Sequence, residues 1–175
     1  NKDFLNSDQK FDAVKEANLK ETYAFTSNIL VYKNCPMQYK FLKEFDFTPV
    51  RVGSTVYGTL VHSTIEDIHK LALNNKTQEI NPENIKSLLD TNYVLISLKE
   101  KTFLGQAQRD SALKQVMAYV DRQNGDWSKV KDAEVEVSLV KDKYILKGKI
   151  DLVQGADNTL EIVDFKAEKK PDIFV

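Results

Sequence analysis

Apolar positions recur at helical spacing over most of this chain and at a period of two from Asp132 onward. Residues 1–20 are polar and helix-prone, with Phe4, Leu5, Phe11, Val14 and Leu19 as sparse apolar positions. Ser27 predicts the N-cap of a short helix carrying Ile29, Leu30 and Tyr32, and Pro36 predicts the opening of a second with Tyr39, Phe41 and Leu42. Leu60, Val61, Ile65, Ile68 and Leu71 form the apolar stripe of an amphipathic helix over residues 57–73. After a linker from Thr77, Pro82 opens a helix over 83–98, and another follows over 103–122. Residues 133–140 then alternate, which predicts a strand with Glu134 and Glu136 on one face and Val135 and Val137 on the other. Two further runs, 144–153 and 159–165, flank a Gly-Ala-Asp-Asn turn and predict a β-hairpin. Helices first, then a three-stranded antiparallel meander, make an α+β domain.

The hairpin carries the chemistry. With Gln154 facing Thr159 across the turn, Asp151 stands opposite Ile162, and Asp164 and Lys166 lie on the same face one step along. Carboxylates projecting among Ile150, Leu152, Ile162 and Val163 repel each other and lose solvation as the sheet is covered. A hard divalent cation resolves that conflict, and a neighbouring ammonium can orient a water or offset charge growing on a phosphodiester. Taken alone, an Asp-x-Lys pair on an exposed hairpin face explains the same letters without any site.

Composition narrows the options. The chain has 175 residues, enough for one domain with a sizeable core. No membrane-spanning run or signal-peptide pattern occurs, so a cytoplasmic setting is expected. Cys35 stands alone, which excludes a disulfide framework and an iron–sulfur cluster ligated by this chain. Any metal site must use oxygen and imidazole. With 25 basic against 26 acidic residues, bulk charge does not signal nucleic-acid binding, so a DNA contact has to rest on local patches.

The helix over 57–73 aligns His62, Glu66 and His69 at i, i+4 and i+7. Imidazole and carboxylate one turn apart can share a metal, although a hydrogen-bonded packing histidine is the commoner arrangement. The other helices carry no residue that demands a chemical role. Gln115 and Tyr119 read as a solvent-facing amide beside a core-edge ring, and Tyr32 and Tyr39 read as packing aromatics before base-stacking ones.

In order and spacing, Ser27, Tyr32, Cys35-Pro36 and Tyr39, then Gly58-Thr-Leu-Val-His62 and Glu66, then Glu134-Val-Glu136, Gly148-Lys-Ile-Asp151 and Val163-Asp164-Phe-Lys166 form one set. That set resembles the RecB-like nuclease domain of the PD-(D/E)xK superfamily, in particular the module appended to UvrD-like superfamily 1 helicases. The resemblance runs from about Thr22 to Pro171. It implies a restriction-endonuclease-like core with His62, Asp151 and Asp164 as metal ligands and the Phe165 carbonyl completing the shell. It also implies Lys166 as the catalytic lysine, with Glu66 and one of Glu134 or Glu136 as accessory groups. The implied cofactor is Mg²⁺ or Mn²⁺. The implied activity is hydrolysis of DNA, expected on single strands delivered by helicase motor domains of the same parent chain. A ligating His62 must be neutral, so metal affinity is expected to fall in acid.

On this reading residues 1–175 are one nuclease domain cut from a longer helicase-nuclease. Residues 1–21 are a helical extension, 22–130 the helical part with the histidine motif, and 131–167 the catalytic sheet. The family's Gln-x-x-x-Tyr helix, which follows the lysine strand, is missing; Gln115 to Tyr119 has those letters upstream of the sheet and does not inherit the role. No Walker-type phosphate loop occurs, so ATP-driven activity belongs elsewhere in the parent. Two competing classes are a DNA-binding module that has lost catalysis and a zinc-dependent hydrolase built on His62, Glu66 and His69.

Overall fold

The computed structural model describes residues 20–47, 49, 52–156 and 159–167. Residues 1–19 of the helical extension expected over 1–21, and the chain beyond Ala167, lie outside the described residues; Glu21, the last residue of that extension, is in a strand and not a helix. The described part begins with strand β1, Glu21–Ala24, which the apolar pattern does not predict. A π-helical turn, Phe25–Leu30, leads into α1, Val31–Asn34. This helix starts ahead of Ser27: its N-cap is Ala24, whose N–H donates to Asn28 Oδ1 at 3.0 Å. Helix α2, Pro36–Tyr39, opens on proline as predicted. Cys35 caps it, its Sγ accepting from Gln38 N at 3.4 Å. A second π-turn, Lys40–Glu44, follows.

Helix α3, Gly53–Leu73, is the spine of the domain. Val56, Leu60, Val61, Ile65 and Ile68 are buried along it, and the buried Thr64 hydroxyl is satisfied by donating to Leu60 O at 2.8 Å. Beyond a 3₁₀ turn, Thr77–Glu79, comes α4, Pro82–Glu100. Its start combines Pro82 in the first turn with Asn81 Oδ1 accepting from Asn84 N at 3.0 Å. Helix α5, Gln106–Gln123, begins where the Gly105 N–H donates to Gln108 Oε1 at 3.0 Å, and stops at left-handed Asn124. Ile85 and Leu89 of α4, Leu104 between α4 and α5, Ala112 and Val116 of α5, and Trp127 close the core against α3.

The sheet has four strands, with β2, Val130–Val140, β3, Tyr144–Gln154, and β4, Glu161–Val163. β3 is central. β2 runs antiparallel along one edge, and the other edge is shared by β1 beside Tyr144 to Lys147 and β4 beside Leu152 to Gln154. The antiparallel meander is therefore present, and the parallel pairing of β1 makes the whole a mixed sheet. The hairpin register differs from expectation: Gln154 pairs with Glu161 rather than Thr159, because the connection is two residues longer than the expected four-residue turn. An even shift preserves facing, so every side chain keeps its predicted side of the sheet.

Candidate active site

Asp151 sits at the centre. The ladder pairs Leu152 with Val163, so the next step puts Asp151 at the register position opposite Asp164. On the other edge, Ala133 and Val135 pair with Leu152 and Ile150, which leaves Glu134 facing Asp151 across an unpaired step. Glu134 there adopts φ 57°, a left-handed conformation unfavourable for a side chain with a Cβ. One Asp151 carboxylate oxygen accepts the Phe165 N–H at 2.7 Å and lies 3.6 Å from His62 Nδ1. The backbone hydrogen bond offsets part of the cost of holding a carboxylate that is only 17% exposed.

His62 comes from the middle of α3 and meets the edge of Phe165, ring centroids 6.1 Å apart. Asp164 and Lys166 lie just past β4, paired to each other at 2.6 Å and 64% and 73% exposed. Both stand farther out than a carboxylate and ammonium closed around a cation would. Among the described residues no three His, Cys, Asp or Glu side chains already stand together as a metal cage. The donor chemistry nevertheless suits a hard cation: one imidazole and one carboxylate in contact, with a second carboxylate at the facing register position. An exposed ion pair of the Asp164–Lys166 kind is worth at most about 1 kcal/mol, so Asp164 can turn inward at small cost.

The remaining predicted residues are divided between cleft and core. Glu66 is bound by Lys70 one turn on and shares a cleft of about 350 Å³ with His62, Glu134 and Lys149. Glu134 forms an ion pair with Lys149, and Glu136 is exposed at the position opposite Lys149. His69 does not join His62 and Glu66. It is fully buried, with Nε2 2.7 Å from the Tyr119 hydroxyl, and its ring stacks on Phe165 at 5.7 Å. Burial pushes the His69 pKa down to about 4 and pushes Tyr119 up to about 12, so both are neutral at pH 7. A His62–Glu66–His69 zinc triad is thus not assembled: the i+7 position turns into the core.

Two contributors escape sequence reasoning. Tyr119, read as a core-edge ring, meets Phe165 edge-on at 5.4 Å and bonds His69, so it helps fix the residue whose N–H holds Asp151. Tyr57 donates to Gln115 Oε1 at 2.9 Å and borders a cleft of about 1000 Å³ that reaches His62 and Lys166. The contacts span 50 and 58 residues along the chain, a separation that no local pattern encodes.

A mixed sheet crossed by one long helix, with a histidine from the helix against an acid on the central strand and an Asp-x-Lys beside it, defines a nuclease-type α/β core. Residues 26–173 match the family model of the PD-(D/E)XK nuclease superfamily, and the chain belongs to that superfamily. Comparison with curated proteins and with solved structures yields no match to either. Among the described residues no helix is long and apolar enough to cross a membrane.

Proposed function

We propose that this domain hydrolyses DNA phosphodiester bonds with Mg²⁺ or Mn²⁺, acting on single strands as an exonuclease within a helicase-nuclease of DNA repair. The observation that carries the reading is the Asp151 carboxylate, which touches His62 from α3 and the Phe165 N–H from the chain leaving β4. Three elements distant in sequence meet at one acid. His62, Asp151, Asp164 and the Phe165 carbonyl would hold the cation. When bound, it would polarise the scissile phosphate and lower the pKa of a coordinated water.

The chain's own groups supply the rest. The Asp151–Phe165 hydrogen bond fixes one donor oxygen and orients the backbone that carries the Phe165 carbonyl. Lys166 places an ammonium beside Asp164, where it can orient the attacking water or offset charge on the phosphoryl oxygens. Glu66 and Glu134 border the neighbouring cleft and would act on the water structure there. Single-strand preference and the helicase setting follow from the resemblance to nuclease modules of superfamily 1 helicases.

The test is calorimetric titration of Mn²⁺ at neutral pH into the parent, Asp151→Ala and Asp151→Asn, the last keeping an acceptor for the Phe165 N–H. Binding by the parent that is lost in both variants is the expected result. A folded parent that binds no Mn²⁺ and cleaves no DNA supports a module without catalysis. Binding that survives Asp151→Ala moves the metal away from the hairpin.

A further inference from the structure

Two clefts flank His62, and their charge differs. The smaller lies between α3 and the sheet and sets Glu66 and Glu134 against Lys149. The larger lies between α3 and α5, is lined by Ser54, Thr55, Tyr57, Gln108 and Ser111, and ends at Lys166. Among the described residues no carboxylate lines it. A polyanion entering the first meets two carboxylates, each paired with a lysine, whereas the second sets neutral polar groups along its walls and Lys166, paired with Asp164, at its end.

The donors are also oriented. Gln108 Oε1 accepts the Gly105 N–H at 3.0 Å, which commits that oxygen to the helix start and turns the NH₂ toward the opposite wall. There Gln108 Nε2 would lie 3.8 Å from a Cβ built on Gly53. The Tyr57 hydroxyl, 3.3 Å from Ser111 Oγ, is steered by Gln115. Helix α3 opens with no acidic residue in its first turn, so the cleft wall adds no negative charge.

We propose that the substrate strand lies in the α3–α5 cleft, with Gln108 and Ser111 donating to phosphate or sugar oxygens on one side of the scissile bond and Tyr57 as a neutral wall beside them. This assignment rests on the nuclease reading and adds to it the route by which the strand reaches Lys166. It makes α5, a helix with no chemical signal in its sequence, one wall of the substrate site.

The experiment is fluorescence anisotropy of a labelled single-stranded oligothymidylate with Ca²⁺ in place of Mn²⁺, at about 0.1 M salt. Gln108→Glu adds a carboxylate to the cleft and keeps the acceptor for the Gly105 N–H, since glutamate serves that capping position equally well. Ser87→Glu adds the same charge to the exposed face of α4 and serves as control. Gln108→Glu is expected to weaken binding on the order of five- to tenfold, the control less than about twofold, with Mn²⁺ affinity unchanged in both. Equal affinity of Gln108→Glu and parent overturns the assignment, as does an equal loss in Ser87→Glu. A parent that binds Mn²⁺ and no oligonucleotide overturns the cleft alone. A parent that neither binds Mn²⁺ nor cleaves DNA overturns the nuclease reading beneath it.

Discussion

Acid should destabilise this domain through His69. The ring is fully buried, Tyr119 approaches it from α5, Trp127 from the following loop and Phe165 from beyond β4, and none of these is charged at neutral pH. Burial alone pushes its pKa down from 6.5 to about 4. In the unfolded chain the same imidazole titrates at about 6.5. Between those values the unfolded chain binds a proton that the native state does not, so stability is full above about pH 6.5 and falls as the pH drops toward 4. The linkage integral gives a loss of about 2 kcal/mol at pH 5 and about 3 kcal/mol when complete, against a total of roughly 5–15 kcal/mol for an ordinary domain. Urea unfolding followed by Trp127 fluorescence at pH 7 and pH 5 measures it, on the parent and on His69→Gln. The glutamine amide can still bond the Tyr119 hydroxyl and does not titrate, and the acid response of the carboxylates is common to both proteins. The parent should lose about 2 kcal/mol more than the variant on going to pH 5. Equal losses would refute the assignment of the acid response to a buried, neutral His69.

Tyr119→Phe removes the partner of His69 Nε2 while keeping the ring against Phe165, and Nδ1 already has no hydrogen-bond partner. It should cost about 1–2 kcal/mol in the same urea assay, and a neutral result would show that the hydroxyl is dispensable. Gly155→Ala should destabilise by about 2 kcal/mol or more, because an added Cβ would fall 2.0 Å from Thr159 O, a backbone atom that cannot move aside. An unchanged urea midpoint would mean that Thr159 shifts away from position 155 without cost.

The fold is legible in the sequence wherever a pattern is long. The α3 stripe predicts the buried Leu60, Val61, Ile65 and Ile68, and the alternation after Asp132 predicts which acids share a face of β2. β1 is illegible because four residues, Glu21–Ala24, carry too short a pattern, and its partner is Tyr144 to Lys147, more than a hundred residues on. The hairpin register is legible only to within an even shift, since Gly155 followed by polar residues permits several turn lengths. In the candidate site, His62 and Asp151 lie 3.6 Å apart, a proximity between residues 89 positions apart that no local pattern encodes. His69 turns into the core one helical turn beyond the buried Ile65, and the partner that satisfies its nitrogen is a tyrosine 50 residues away, which no local pattern encodes either.

That register shift bears on the chemistry of the site. In the predicted pairing Asp164 stands one step beyond Asp151; in the observed one the ladder ends at Leu152–Val163, and Asp164, the next residue, falls at the register position facing Asp151. Two carboxylates at facing positions repel, and the structure separates them by different means. Asp151 is held inward by the Phe165 N–H, while Asp164 turns into solvent against Lys166. Lys166 therefore neutralises the outer acid in this conformation. The exposed ion pair holds Asp164 weakly, while the part-buried hydrogen bond keeps Asp151 in place. The two acids thus differ in how firmly they are held: Asp151 is fixed beside His62, and Asp164 is restrained by a pair that solvent screens.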